Sequence, residues 1–320
     1  MLSGPIRILA LCTLLLTLSM STALAATDVV VTIKPIHALI SGVMKDIGKP
    51  TLLIKGGQSP HSYSLRPSDA RALADAELVV WIGPELESFL VQPLHSLAPS
   101  AQKVELLRKP ELIRLPQRRG GNWTDGHDHS EHPDHHDHAD TVDTEIRRSN
   151  NPHLWLDPHN AIDIVTLTTE SLSELDPNNA ATYRTNAHHL IQRLTALDRE
   201  LAAQLKPLQS RPYLVFHDAY PYLEARYRLN PVGAISINPD RRTGAKRVAE
   251  IRATIESSGA LCLFSEPQFR PQLVNALLDG TDARGGELDP LGADLPAGAD
   301  SYFELMRALA TALEGCLDPS

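Results

Sequence analysis

Tyr183, Ala187, Leu190, Leu194, Leu197, Leu201 and Leu205 recur at steps of three or four residues, the period of a single helix face. Asp176 stands where it can cap such a helix, Pro177 suits its first residue, and Pro207 stops it. The spacing predicts one helix over 177–205, about 43 Å long at about 1.5 Å per residue. On either side of it, short β-branched runs alternate with helix-like stretches. Strands are expected at 29–33, 51–54, 78–82 and 104–107 before it, and at 213–216, 232–237 and 261–264 after it. Helices are expected at 36–48, 67–76, 85–97, 243–258 and 301–315. Short apolar runs of this kind suit parallel strands covered on both faces. The predicted class is therefore α/β, with two lobes of parallel sheet flanked by helices and joined by one long rigid helix. The lobes are assigned to 26–175 and 207–320, and the connector to 176–206.

The N-terminus carries an address. Arg7 precedes an apolar run from Ile8 to Leu18, and Ala23-Leu24-Ala25-Ala26 follows. This order reads as a secretory signal peptide over 1–25, cleaved after Ala25 or Ala26, and the run is shorter than a bilayer needs. Removal of Cys12 with that segment leaves Cys262 and Cys316. Two cysteines in an exported chain read as one disulfide, with two buried thiols as the alternative. The formal net charge is −9. A nucleic-acid binder carries a basic surplus or patch, so that class is demoted.

Histidine is the unusual entry in the composition. Of the 14 in the chain, His127, His129, His132, His135, His136 and His138 fall in one short stretch. Between Asp125 and Glu145 the chain has eight carboxylates and no Lys or Arg. Residues 117–150 are thus expected to form a mobile His/Asp-rich loop, with no core of its own and several weak metal sites. A solvating acidic loop is the plainer reading, but it has no need of six histidines.

Three other histidines stand where a tight site could form. His61 follows the expected strand 51–54, His217 ends the strand 213–216, and His153 lies in Asn151-Pro152-His153-Leu154-Trp155-Leu156-Asp157-Pro158. Ligand sites of open α/β sheets gather beyond the carboxyl ends of strands, which suits His61 and His217. Any one of them alone is more often a hydrogen-bonded surface or core histidine.

The stretches 60–69, 151–158 and Val215-Phe216-His217-Asp218-Ala219-Tyr220 together resemble the zinc-binding subunits of bacterial ABC importers, the ZnuA group. Supporting pieces are Ile33-Lys34-Pro35-Ile36-His37, the stretch 175–183, Phe264-Ser265-Glu266-Pro267-Gln268-Phe269 and Leu288-Asp289-Pro290-Leu291-Gly292. The resemblance implies two α/β lobes, a rigid connecting helix and a metal held in the cleft. It implies His61, His153 and His217 as metal ligands and a Cys262–Cys316 disulfide. Some members place Glu directly before the first histidine, where this chain has Pro60. The fourth position is then left to water, to Asp289 or to a histidine of the loop. His37 is expected to line the site, and Asp157 and Asp218 to orient imidazoles or else to cap loops. His95, His159, His188 and His189 are read as local or solvent-facing.

Donor chemistry points the same way. Imidazole suits Zn²⁺, Cu²⁺ and Ni²⁺, whereas Mn²⁺ prefers oxygen ligands. Three histidines with at most one carboxylate lean toward zinc, although copper competes strongly at nitrogen sites. The expected function is a monomeric, non-enzymatic periplasmic protein that captures Zn²⁺ and delivers it to a membrane permease. Alternatives are a manganese or iron importer subunit, a periplasmic metal buffer, and a zinc hydrolase. The last lacks an H-E-x-x-H helix or an evident general base.

Overall fold

The computed structural model describes residues 27–118, 149–236, 244–269 and 272–318. The histidines at 127–138 and the signal segment lie outside them.

In the first lobe, β1 (Val29–Val31), β2 (Thr51–Leu52), β3 (Leu78–Trp81) and β4 (Gln102–Glu105) form a parallel sheet in the order β2-β1-β3-β4. The Val-rich runs of β1 and β3 are buried throughout, as expected of strands covered on both faces. Helices α1 (Lys34–Val43), α2 (Pro67–Asp75) and α3 (Val91–Ser96) connect them. Pro35 and Pro67 stand at the starts of α1 and α2, where a missing N–H costs nothing. The helix expected at 85–97 is instead a 3₁₀ turn, Ser88–Leu90, leading into the short α3.

Two long antiparallel-connected helices follow, α4 (Pro158–Leu175) and α5 (Ala180–Leu205). The sequence stripe is the buried face of α5, from Tyr183 to Leu205. It packs against α1 and α4 and against the C-terminal lobe. At the crossing with α1, a Cβ on Gly42 would lie 2.8 Å from Leu190 Cδ2, so any larger residue there would make the Leu190 side chain move. The helix starts later than predicted. Pro177–Asn179 form a turn, because Asp176 ends α4 and its carboxylate is spent on the Asn179 amide at 2.7 Å and the Tyr183 hydroxyl at 3.0 Å. With 26 residues, α5 spans about 39 Å.

The second lobe repeats the plan. β5 (Pro212–His217), β6 (Asn230–Ser236), β7 (Cys262–Ser265) and β8 (Arg284–Glu287) form a parallel sheet in the order β6-β5-β7-β8. They are joined by α6 (Pro221–Tyr227), α7 (Ala245–Ser258) and α8 (Gln272–Leu278), and α9 (Ser301–Leu317) closes the chain. Along β5 the side chains alternate between two cores. Tyr213 and Val215 join the large core shared with the first lobe, while Leu214 and Phe216 join a smaller one with Ile251, Ile255 and Leu277.

The edge strand β8, Arg-Gly-Gly-Glu, has no apolar run to announce it. Its glycines admit a neighbour: a Cβ on Gly286 would meet Phe264 at 2.5 Å. Cys262 of β7 and Cys316 of α9 form a disulfide across 54 positions of sequence, contributing roughly 4 kcal/mol in the chain-entropy model. Among the described residues no helix is long and apolar enough to cross a membrane.

Candidate metal centre

Both sheets reverse strand order beside their first strand, and the carboxyl ends of β1 and β5 face the gap between the lobes, the usual ligand position in such sheets. His217 is the last residue of β5. His61 sits in the loop from β2 to α2, where its N–H donates to Ser59 Oγ at 3.3 Å. His153 precedes the 3₁₀ turn Leu154–Leu156 that leads into α4. The three rings meet, with centroids 5.5 Å apart for His61–His153, 5.8 Å for His61–His217 and 4.9 Å for His153–His217. Each offers one ring nitrogen, and these nitrogens all lie within 4.8 Å of one another. Among the described residues, this is the one group of His, Cys, Asp or Glu so arranged.

The ring orientations are set from behind. Asn151 Nδ2 donates to the Asp218 carbonyl at 2.7 Å, so its Oδ1 faces His153 and accepts from the backbone N–H at 3.0 Å and from Nδ1 at 2.9 Å. Glu266, just beyond β7, takes the Nδ1 proton of His217 at 2.6 Å. Both histidines therefore carry their proton on Nδ1 and present a bare Nε2 lone pair. Those two Nε2 atoms are 3.1 Å apart. The third, His61 Nε2, is buried without a hydrogen-bond partner. Burial, with the neighbouring His217 second, drives His61 down to about 3. Burial likewise holds His153 well below the usual range, with His217 and His61 adding to it. Burial pushes the Glu266 carboxyl up, opposed by His217.

The space enclosed by His61, His153, His217, Glu266, Gln268 and their neighbours is about 10 Å³. That is room for one water-sized particle, not for an organic ligand.

The other expected residues fall elsewhere. Asp289 accepts from Gln268 Nε2 at 2.9 Å, from Leu291 N at 3.0 Å and from Ala293 N, which keeps its carboxylate turned into its own loop. Asp157 caps α4 by accepting from His159 N at 2.8 Å. Asp218 pairs with Arg118 at 3.2 Å. Neither orients an imidazole through its ring nitrogen; Asn151 and Glu266 do so. His37 does not line the cavity: its Nε2 donates to the Pro50 carbonyl at 3.0 Å. His95, His159, His188 and His189 are exposed.

Two ties join the lobes around the centre. The Lys34 ammonium, at the start of α1, donates to the carbonyls of Gly292 at 2.8 Å, Leu295 at 2.9 Å and Ala293. Arg118 reaches from the first lobe to Asp218 and to Glu224, and burial pushes the latter carboxyl up to about 7.

The family model described as zinc-uptake complex component A, periplasmic (ZnuA), matches residues 29–316. The high-affinity zinc uptake system protein ZnuA of Brucella abortus (strain 2308) is 45% identical over 305 residues, covering 90% of this chain and 91% of its own. The protein of the same name from Yersinia pestis is 36% identical over 301 residues, covering 92% of each. A crystal structure of ZnuA superposes with a TM-score of 0.74 at 23% identity, over 92% of this chain and 100% of that one. With the fold, the disulfide and the histidine cluster in agreement, the chain belongs to the ZnuA family of periplasmic zinc-uptake components.

Proposed function

We propose that this chain captures Zn²⁺ between its lobes through His61, His153 and His217 and delivers it to the membrane permease of an ABC importer. The observation that carries the reading is the 3.1 Å between the Nε2 atoms of His153 and His217. Both Nδ1 atoms already donate, so two lone pairs face each other at a distance that a shared cation makes favourable. Zn–N bonds of about 2.0–2.1 Å in a tetrahedron put neighbouring nitrogens about 3.3 Å apart. All-imidazole donors favour Zn²⁺ over Mn²⁺, and the names of the relatives agree. Two ligands come from the first lobe and one from the second, so the ion bridges them.

The protein acts by binding, without chemistry on its cargo. A hydrolase would need room for a substrate beside the metal, and about 10 Å³ provides none. Export through a cleaved signal over 1–25, a monomeric state, and weak additional binding at His127, His129, His132, His135, His136 and His138 complete the proposal.

Native mass spectrometry and competition titration test it. Wild-type protein retains one tightly held zinc, and His217→Ala loses it. Retention of that zinc by the variant would overturn the assignment.

A further inference from the structure

Gln268 belongs to the wall of the same cavity. Its Nε2 donates to Asp289 Oδ1 at 2.9 Å. A carboxylate only accepts, so the amide has one orientation: NH₂ toward Asp289 and carbonyl away. Asp289 is itself fixed by the backbone N–H groups of Leu291 and Ala293. The outcome is a rigid support that turns Gln268 Oε1 into a buried position with no hydrogen-bond partner. Glu266 Oε2, on the same wall, is a second buried acceptor without a partner. Two acceptors without partners and three imidazoles thus belong to residues that line the same small cavity.

Resting on the three-histidine reading above, we propose that Gln268 Oε1 accepts a hydrogen bond from a water that completes the tetrahedron of the captured metal. Three imidazoles leave one corner of a tetrahedral ion open, and the protein ligands zinc takes are thiolate, imidazole and carboxylate, not a side-chain amide. Gln268 therefore acts through the water. The water has two protons to donate, and Glu266 Oε2 takes the second. Gln268 is a positioning residue: it decides how firmly the fourth place is held and favours water there over hydroxide, which has one proton fewer to give.

Co²⁺-loaded protein reads this directly, because its visible bands change when a bound water loses a proton. Wild-type protein shows one alkaline transition. In Gln268→Leu the midpoint falls by about half to one pH unit, the scale of one lost hydrogen bond, and the metal is held about fivefold less tightly. In Gln268→Glu the added negative charge moves the midpoint upward. Opposite shifts in the two variants are the expected signature, and a generally loosened site would not produce them. No alkaline transition in wild type would place a protein group in the fourth position and overturn the inference. So would an unchanged midpoint in Gln268→Leu. Unaltered Co²⁺ binding and spectrum in His217→Ala would instead defeat the three-histidine reading itself.

Discussion

Glu266 Oε1 lies 2.6 Å from Nδ1 of His217, at the adjacent carboxyl ends of two paired strands, β7 and β5. The second sheet thus presents a proposed ligand and the group that aims its ring as one unit. A carboxylate behind a metal-binding imidazole fixes its tautomer and raises its basicity. Glu266→Ala should lower zinc affinity about ten- to a hundredfold, and Asn151→Ala should act similarly through His153. Competition titration against a chromophoric chelator measures both.

Each of the three ligands should matter more than these supports. His61→Ala and His153→Ala are each expected to weaken zinc binding by more than about a hundredfold, with near-native circular dichroism. Wild-type affinity in either would remove that residue from the site.

The metal-free protein should carry a pH signature of His61. In the folded chain this ring takes a proton only near about 3, whereas in the unfolded chain it does so near about 6.5. Between those values the unfolded state binds more protons, so the His61 contribution makes stability fall as pH falls below about 6.5. At pH 5 the cost is about 2 kcal/mol. His61→Gln, measured by urea unfolding without metal, should therefore gain on wild type by about that amount between pH 7 and pH 5.

Loss of the disulfide should destabilise the second lobe. Replacing Cys262 and Cys316 together by Ala is expected to cost about 3–4 kcal/mol in denaturant unfolding. The metal ligands do not touch the bridge, so zinc binding at low temperature should persist.

Removing residues 120–148 should abolish weak additional zinc binding and leave the tight event in calorimetry. Binding that must order the backbone it uses costs about 1–2 kcal/mol per residue, so the event assigned to this segment should be the weaker one. Loss of the tight event would show that a histidine of this segment completes the cleft.

Much of this architecture was readable because its signals are periodic. The stripe from Tyr183 to Leu205 marked α5, and the Val-rich runs marked β1 and β3. The start of α5 was misread because Asp176 has two possible roles, helix cap or end of α4, and only the fold decides between them. β8 escaped because Gly285 and Gly286, packed against Leu278 and Phe264, leave no hydrophobic trace. α4 was missed as a span, although Pro158 hinted at its start. The three histidines proposed as ligands were visible after expected strands, for His61 and His217, and within the stretch 151–158 that carries the family resemblance, for His153. The groups behind them were not, since an Asn two residues before a histidine carries no sign of its partner. Glu266 offered one clue: it stands just past an apolar strand, the same station that His217 occupies on β5.

Lys34 holds the second lobe by main-chain oxygens of Gly292, Ala293 and Leu295. Such a grip is blind to side chains. The hydrogen bonds of the clasp do not involve the side chains of Ala293 and Leu295, so long as the turn keeps its course, whereas the carboxylates of Asp289 and Asp294 favour the Lys34 charge. The exception is Gly292, whose φ of +66° and close approach to Leu295, 2.9 Å from a would-be Cβ, tie the shape of the turn to the absence of a side chain. The interlobe contact therefore asks the loop for glycine at 292, for backbone conformation at 293 and 295, and for a negative charge beside Lys34.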